Sequence, residues 1–342
     1  MQSSYISNFK TFGFKIITIT TITFFIFALC LELYNPLSIN KNSRVIYYNN
    51  QIPELPKIIE INYNNNGFIG ENFSDTITRT KICFVGSSKT QSIYVPYNKQ
   101  WTTNCLRNRN AYWMNNCGKD GTQINEWIKE IYNLKAVEPN YIVVLVDPFS
   151  TFNKTTKSND QQVFKFYFKI KIVSSVIYPL YRIFKNKVNG NKIGHTMVVW
   201  ENEKKEYNNN KKRVNIDTSK VVLGLNNLIS EIKKINSIPI LISCPTPYGE
   251  YTNSKNVVMK NIQGSITTDI FYNDFSNILK IYCEKRNINF INGYSLRKNT
   301  NYFYDHGHFN IEGSAAFARL INPQIEQIIT FTKSNQTHLD SN

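Results

Sequence analysis

The sequence predicts an α/β fold in which a central, mainly parallel sheet lies between two layers of helices. From Thr80 onward, short apolar runs alternate with amphipathic segments of helical spacing, a pattern typical of strands joined by helical crossovers. The run Tyr141–Val146 is apolar throughout and rich in β-branched residues, as expected for a strand buried on both faces. We therefore expect a three-layer α/β/α sandwich.

The elements of this domain, residues 79–330, follow from two periodicities. Short apolar or β-branched runs indicate strands, and apolar residues that recur every three or four positions indicate helices. The predicted strands are Ile82–Val85, Ala111–Asn115, Tyr141–Val146, Ile238–Ser243 and Ile288–Ile291. The predicted helices are Ile124–Leu134, Val221–Ile235, Phe271–Arg286 and Ser314–Ile329.

A basic segment, residues 151–220, interrupts the alternation of strands and helices. It contains 15 Lys and Arg residues against 5 Asp and Glu residues, and thus supplies +10 of the net charge of +16. Two interpretations stay open: attraction to an anionic surface such as lipid headgroups or an acidic glycan, and a solvated, lysine-rich insertion. Its interleaved aromatic residues fit a lid, a recognition arm or an interfacial helix, or pack on the domain's own core.

The N-terminal part of the chain predicts a membrane anchor. Residues 12–34 are apolar except for Lys15 and Glu32 near the two ends, and both side chains can reach the interfaces of a bilayer. Lys10 and Lys15, with no acidic residue before them, favour a short cytoplasmic tail at residues 1–11. A cleaved signal peptide is the alternative, but no small-x-small cleavage site follows the run. Residues 35–78 then form a stalk or a packed N-terminal arm, and residues 331–342 a polar tail.

This topology places the catalytic domain outside the cytosol, in a periplasmic, extracellular or lumenal compartment, and excludes nucleic acid as a partner.

Five of the six cysteines lie in the main domain, and no CxxC motif is present. Neither a zinc site nor a dense disulfide framework is therefore indicated. Cys105 and Cys117 form a pair in an oxidising compartment or serve as small buried hydrophobes.

Two short motifs hold the residues with catalytic chemistry. Asp305 stands three positions before His308, on a loop ahead of a predicted helix. At this spacing the carboxylate accepts the Nδ1 proton of the imidazole, which leaves Nε2 free to act as a base. Far upstream, the apolar run from Ile82 is followed by Gly86, Ser87 and Ser88. A hydroxyl at the carboxyl end of a parallel strand lies in the crevice where α/β folds bind ligands.

Taken together, these motifs resemble the SGNH (GDSL-like) hydrolase superfamily, whose domain is a flavodoxin-like α/β/α sandwich. Gly86-Ser87-Ser88-Lys89-Thr90 resembles its first block, with Ser87 where the family usually has Asp. Asn116-Cys117-Gly118 resembles its second block, and Asp305-His306-Gly307-His308 its last. The similarity spans Thr80 to Ile329 without the basic segment.

The resemblance implies a role for each matched residue. Ser88 is the nucleophile, and Asp305 and His308 complete the triad. The backbone N–H groups of Ser88 and Gly118 form an oxyanion hole. The family's third block adds an Asn side chain after the Val-rich strand, but here that strand continues Asp147-Pro148. Asn153 is the nearest substitute, and losing one such donor typically costs about 2.7–4 kcal/mol of barrier.

Four further residues have weaker assignments. Tyr248, after Pro245-Thr246-Pro247, is a candidate substrate contact or a surface aromatic residue, and His306 lines the pocket or faces solvent. His195, inside the basic segment, is expected to be structural or exposed. Asp147 is expected to cap a helix or turn and receives no catalytic role.

The function implied is that of a serine esterase or O-acyltransferase without cofactor or metal, acting on an ester-bearing glycan or lipid. The membrane is a second partner, through the N-terminal helix and, in one interpretation, the basic segment. The first alternative is a weakened or inactive glycan- or lipid-binding membrane protein of the same fold. A metal-dependent hydrolase built on Asp305, His306 and His308 is the second.

Overall fold

The computed structural model describes residues 41–49, 52–151, 195, 197, 216–247, 251–252, 258–259, 265–296 and 299–340, and the isolated residues 18, 20 and 23. The chain divides into two compact units. In the smaller, residues 1–40 and 155–191, only Thr18, Thr20 and Thr23 are described, and they are helical and exposed. The larger unit, residues 41–154 and 192–342, contains every feature that follows.

A six-stranded sheet forms the centre of the larger unit. Its strand order is β10-β7-β6-β4-β5-β3, and every neighbouring pair is parallel except β5 with β3. The strands are β3 (Ile69–Gly70), β4 (Thr80–Gly86), β5 (Tyr112–Asn116), β6 (Tyr141–Val146), β7 (Ile238–Ser243) and β10 (Asn289–Ile291). Two-residue strands β8 (Tyr251–Thr252) and β9 (Val258–Met259) pair with each other. The five predicted strands are confirmed within two residues at each end.

Side chains alternate between the two faces of this sheet and build two separate cores. Along β4, Ile82 and Phe84 belong to one apolar cluster, and Cys83 and Val85 belong to the other. The same alternation runs along β6 and β7, because successive residues of a strand point to opposite faces. A sheet buried on both sides requires helices on both sides, which explains the nearly continuous apolar strands.

Helices cover both faces. They are α1 (Ser88–Gln91), α2 (Trp101–Asn104), α3 (Ile124–Asn133), α4 (Pro148–Thr151), α5 (Thr218–Lys234), α6 (Ser265–Arg286) and α7 (Ile311–Asp340). Helix α7 packs on one face through Phe317, Ile321 and Ile325, which recur every four residues. Helices α3 and α5 pack on the opposite face. The predicted three-layer α/β/α arrangement with a central parallel sheet is confirmed, although α7 continues through the predicted polar tail to Asp340.

The segment before the main sheet also has regular structure. Strands β1 (Arg44–Tyr48) and β2 (Ile58–Asn62) form an antiparallel pair. Buried side chains of this segment, including Ile59 and Ile61, share a third apolar cluster with Tyr94 and Tyr304. Residues 41–70 therefore pack against the two loops that hold the candidate site described below.

The five described cysteines are buried and unpaired. Cys105 lies in the cluster on one face of the sheet, whereas Cys117 lies in the cluster on the other face. The suggested pairing of Cys105 with Cys117 is wrong, because the sheet separates the two thiols. Both side chains serve instead as small buried hydrophobes.

Among the residues that the structure describes, no helix combines the length and the apolarity needed to cross a membrane. The predicted anchor at residues 12–34 falls outside them, apart from Thr18, Thr20 and Thr23. Most of the basic segment, residues 151–220, also lies outside the described residues.

Candidate active site

Ser88 lies at the carboxyl end of β4, in the middle of the sheet, as the first residue of α1. The turn into the helix is tight: the Ser87 carbonyl accepts hydrogen bonds from the N–H groups of Thr90 and Gln91, each at 3.0 Å. Gly86 has no room for a side chain, because a Cβ there would lie 2.2 Å from Thr90 Oγ1 and 3.1 Å from the Leu145 carbonyl oxygen. The glycine therefore allows the turn that presents the Ser88 hydroxyl at the edge of the sheet.

The loop before α7 is organised by Asp305. Its Oδ1 accepts hydrogen bonds from the N–H groups of Gly307 at 2.8 Å and His308 at 2.7 Å. A bridge between Phe303 and Phe309 and a bond from Tyr304 N–H to the His308 carbonyl close the loop at its base. The backbone thus fixes the carboxylate and the imidazole relative to each other.

These two segments meet in a Ser–His–Asp chain. His308 Nε2 lies 2.8 Å from Ser88 Oγ, and His308 Nδ1 lies 2.9 and 2.8 Å from the two Asp305 carboxylate oxygens. A carboxylate accepts only, so the proton of the neutral ring belongs on Nδ1 and Nε2 receives the serine hydroxyl. The fold thus brings together the three side chains that the sequence predicted as a triad, although Ser88 and His308 are 220 positions apart in the sequence.

The charge state of Asp305 suits this arrangement. Burial pushes the pKa of its carboxyl upward, but the hydrogen bond and charge of His308 and the N–H groups of Gly307 and His308 outweigh burial, so the pKa is lowered. Asp305 is therefore ionised at neutral pH. A fixed carboxylate beside Nδ1 stabilises the imidazolium that forms when His308 accepts a proton.

Gly118 does not have the position that the sequence predicted. Its N–H donates to Asn116 Oδ1 at 3.0 Å, and a Cβ at this glycine would lie 2.5 Å from Gln91 N. The glycine thus packs beneath α1, and its N–H is already satisfied within the protein. This is a correction to the predicted oxyanion donor: the Asn116 side chain folds back onto the backbone two residues on, as Asn does in turns.

Asn116 is a residue whose role the sequence did not indicate. Its side-chain nitrogen donates to the Thr90 and Gln91 carbonyls at 2.7 and 3.1 Å. Through these bonds it ties the end of β5 to the last turn of α1. Of the other predicted contacts, Asn153 and Tyr248 lie outside the described residues, and His306 is exposed.

A buried ion pair lies next to the nucleophile. Lys89 Nζ contacts Asp147 Oδ2 at 2.7 Å, the Tyr272 hydroxyl at 3.0 Å and Cys244 Sγ at 3.2 Å. Burial is the largest single influence and lowers the pKa of Lys89, but Asp147 together with Cys244 and Tyr272 outweighs it, so the pKa is raised. Burial is the largest single influence and raises the pKa of Asp147, but Lys89 together with the hydrogen bonds of Phe149 and Cys244 outweighs it, so the pKa is lowered. Both groups therefore remain charged.

Asp147 does more than the predicted capping. Its Oδ1 accepts the Phe149 N–H at 2.8 Å, as a cap would, while Oδ2 neutralises Lys89. The sequence offered one signal for this pair, an acidic residue directly after an apolar strand.

His195 is partly buried at the site, with 20% of its side chain exposed. Its ring stacks on His308, with 4.2 Å between the centroids and 28° between the planes. The sequence predicted a structural or exposed role for His195, because it lies between Gly194 and Thr196 inside the basic segment. Only the tertiary structure reveals its contact with the imidazole of the Ser–His–Asp chain.

Within the described part of the chain, His195, Asp305 and His308 form a group of possible metal ligands whose ligating atoms lie within 4.8 Å of one another. His306, which the metal hypothesis included, is not in this group. Both nitrogens of His308 already have protein partners, so a cation would have to displace those bonds. The residues present do not fit a resident metal ion.

A small pocket opens beside Ser88. Its walls include Gln91, Tyr94, Val95, Asp120, Tyr304 and Phe309.

No protein-family model and no curated protein matches the chain. Solved structures with a similar course of the chain include a lipolytic protein of the G-D-S-L family from Veillonella parvula, with 16% identity over 70% of this chain and 95% of that one and a TM-score of 0.38. A GDSL-like lipase from Bacteroides thetaiotaomicron has 14% identity over 75% and 93%, with a TM-score of 0.40. A catalytic mutant of an acetylxylan esterase from Geobacillus stearothermophilus has 12% identity over 72% and 94%, with a TM-score of 0.41.

Proposed function

We propose that this protein is a serine-dependent ester hydrolase or O-acyltransferase of the SGNH type. The observation behind the proposal is the hydrogen-bonded chain from Ser88 Oγ through His308 to Asp305, with 2.8 Å between Oγ and Nε2. The order of the three blocks along the sequence supports the same family. The similar solved structures are too distant to add weight.

In the proposed reaction His308 removes the hydroxyl proton of Ser88 as Oγ attacks an ester carbonyl. The charge on the resulting imidazolium is balanced by Asp305. His308 then returns the proton to the leaving alcohol, which leaves an acyl group on Ser88. Water, or a sugar hydroxyl in the transferase case, attacks this acyl-enzyme with His308 again acting as the base.

The oxyanion of the tetrahedral intermediate needs hydrogen-bond donors. The N–H of Ser88 is the first of α1, and the first amide groups of a helix have no partner within that helix. The predicted second donor, the N–H of Gly118, already donates to the Asn116 side chain. The predicted third donor, the side chain of Asn153, stays a proposal. If only one donor acts, the rate should be lower by the factor of about 10²–10³ associated with one missing donor.

That occupied N–H favours a second candidate, a weakened or inactive protein of this fold that binds an acylated glycan or lipid. The two candidates differ in whether Ser88 is nucleophilic. We propose in both cases a location outside the cytosol, with residues 12–34 as a membrane anchor, on the basis of the apolar sequence of that segment. Alkaline carbonate extraction of membranes tests the anchor, since a spanning helix resists it.

The catalytic proposal is tested with a fluorophosphonate probe and with p-nitrophenyl acetate. We expect the probe to label Ser88 and ester hydrolysis to fall to background in Ser88→Ala. Ser87→Ala is the matched control, because it removes the neighbouring hydroxyl, which has no side-chain capping bond to lose. Equal rates of hydrolysis by wild type and Ser88→Ala would refute the proposal that Ser88 is a catalytic nucleophile. Absence of labelling together with glycan or lipid binding would favour the second candidate.

A further inference from the structure

His195 reaches the site from a distant part of the sequence and makes three ring contacts there. It stacks on His308 at 4.2 Å, and it meets Tyr94 edge to face, at 89° with 4.9 Å between centroids. Its Nδ1 lies 2.9 Å from the Tyr304 hydroxyl. Both tyrosine rings are buried. The His195 ring is therefore held in place by packed side chains.

The rings of His195, His308 and Tyr304 form a triangle. Tyr304 and His308 lie nearly parallel, 11° apart, with 5.7 Å between centroids, and His195 lies 6.0 Å from Tyr304. If His195 and Tyr304 occupied opposite faces of His308, their separation would approach the sum of 4.2 and 5.7 Å. It is much shorter. His195 therefore rests against the Tyr304–His308 pair from one side and restrains the plane of the His308 ring.

The charge state of His195 matters because Asp305 is within its reach. His195 Nδ1 lies 3.9 Å from Asp305 Oδ2, the oxygen that also contacts His308. Burial lowers the pKa of His195, the charge of His308 lowers it further, and Asp305 and Asp120 partly offset this. Among the described residues, the tyrosines Tyr304 and Tyr94 also contact the His195 ring. A neutral His195 accepts a hydrogen bond from the Tyr304 hydroxyl at Nδ1, or donates one to it in the other tautomer, and leaves the carboxylate to His308.

We propose that His195 is a positioning residue for the base of the reaction. As an uncharged ring it holds His308 in the one plane that presents Nδ1 to Asp305 and Nε2 to Ser88. This inference rests on the proposed serine chemistry for its effect on rate. The restraint on the ring itself is independent of turnover.

The test compares His195→Ala, which removes the ring, with His195→Phe, which keeps a stacking face but lacks the Tyr304 bond. Displacing a reacting group by about 1 Å can cost roughly 10²-fold in rate. We expect kcat of His195→Ala with p-nitrophenyl acetate to fall by about 10–100-fold with little change in KM, and His195→Phe to recover most of the loss. Met197→Ala is the control, because Met197 packs on the third cluster two residues away.

A second readout does not need turnover. The His308 Nδ1 proton, shared with Asp305, should exchange with solvent faster in His195→Ala than in wild type when followed by proton NMR. Unchanged kcat and unchanged exchange in His195→Ala would overturn the proposal, as would equal losses in His195→Ala and Met197→Ala. Failure of the Phe variant to restore kcat would also overturn it. If Ser88→Ala were as active as wild type, the enzyme assignment would fail, and proton exchange alone would judge the role of His195.

Discussion

The ion pair between Lys89 and Asp147 yields a quantitative prediction about stability. Only 7% and 8% of the two side chains are exposed, and the charged atoms are 2.7 Å apart. Asp147→Asn leaves the Lys89 ammonium buried without a counter-charge, and only the neutral Tyr272 and Cys244 remain beside it. Breaking a buried pair from one side typically costs about 3–5 kcal/mol. That is at least about a fifth of the roughly 5–15 kcal/mol by which a domain is stable.

Urea unfolding followed by tryptophan fluorescence measures this loss. Trp101, Trp113 and Trp127 are fully buried, so their emission should shift when the domain unfolds. Asp217→Asn is the control, because Asp217 pairs with Lys220 at the surface and an Asn there still caps α5. We expect a much smaller change in that variant.

A double replacement and the pH dependence sharpen the test. Lys89→Met with Asp147→Leu should recover much of the stability, since well-packed apolar residues often replace a buried pair without loss.

Because Lys89 lowers the pKa of Asp147 below its usual 3.8, the contribution of the carboxylate to stability is present above that value. It disappears as the pH falls through the lowered pKa. A folded Asp147→Asn that lost less than about 1 kcal/mol would refute the reasoning about buried charge.

Two further predictions concern the reacting groups. Asp305→Asn should lower kcat by about 10³–10⁴-fold, because the amide favours the wrong tautomer of His308. The rate of p-nitrophenyl acetate hydrolysis measures this loss, and a loss under tenfold would contradict the prediction. Gly86→Ala should cost about 1–3 kcal/mol in urea unfolding, because its Cβ meets Thr90 Oγ1. Gly307→Ala, whose Cβ would only touch Lys89 Cε at 3.4 Å, is the control, and equal losses in both would argue against the crowding.

The main sheet was predictable because a local sequence pattern indicates each of its central strands. The run Tyr141–Val146 is apolar at every position, and the structure buries all six residues. The spacing of Asp305 and His308 likewise fixed their pairing, because the carboxylate bonds the backbone and ring of the residue three positions on. In both cases the information lies within a few residues of sequence.

Other features depend on contacts that no local pattern encodes. Strand β3 has two residues and owes its existence to antiparallel pairing with β5. The N–H of Gly118 is occupied because Asn116 turns back toward it, which the block pattern does not reveal. His195 shows the same limit, since its role follows from the ring on which it stacks 113 positions later.

The distance along the chain between Ser88 and His308 has a consequence for biosynthesis. Ribosomes add roughly 5–20 residues per second, so the 220 intervening residues take on the order of 10–40 s to make. During that interval the strand and turn around the hydroxyl can exist, but the imidazole that would deprotonate it has not yet been made. On the proposed mechanism, a nascent chain stalled before the loop at residue 305 should therefore be inert towards esters, and the site is complete only after residue 308 has been added.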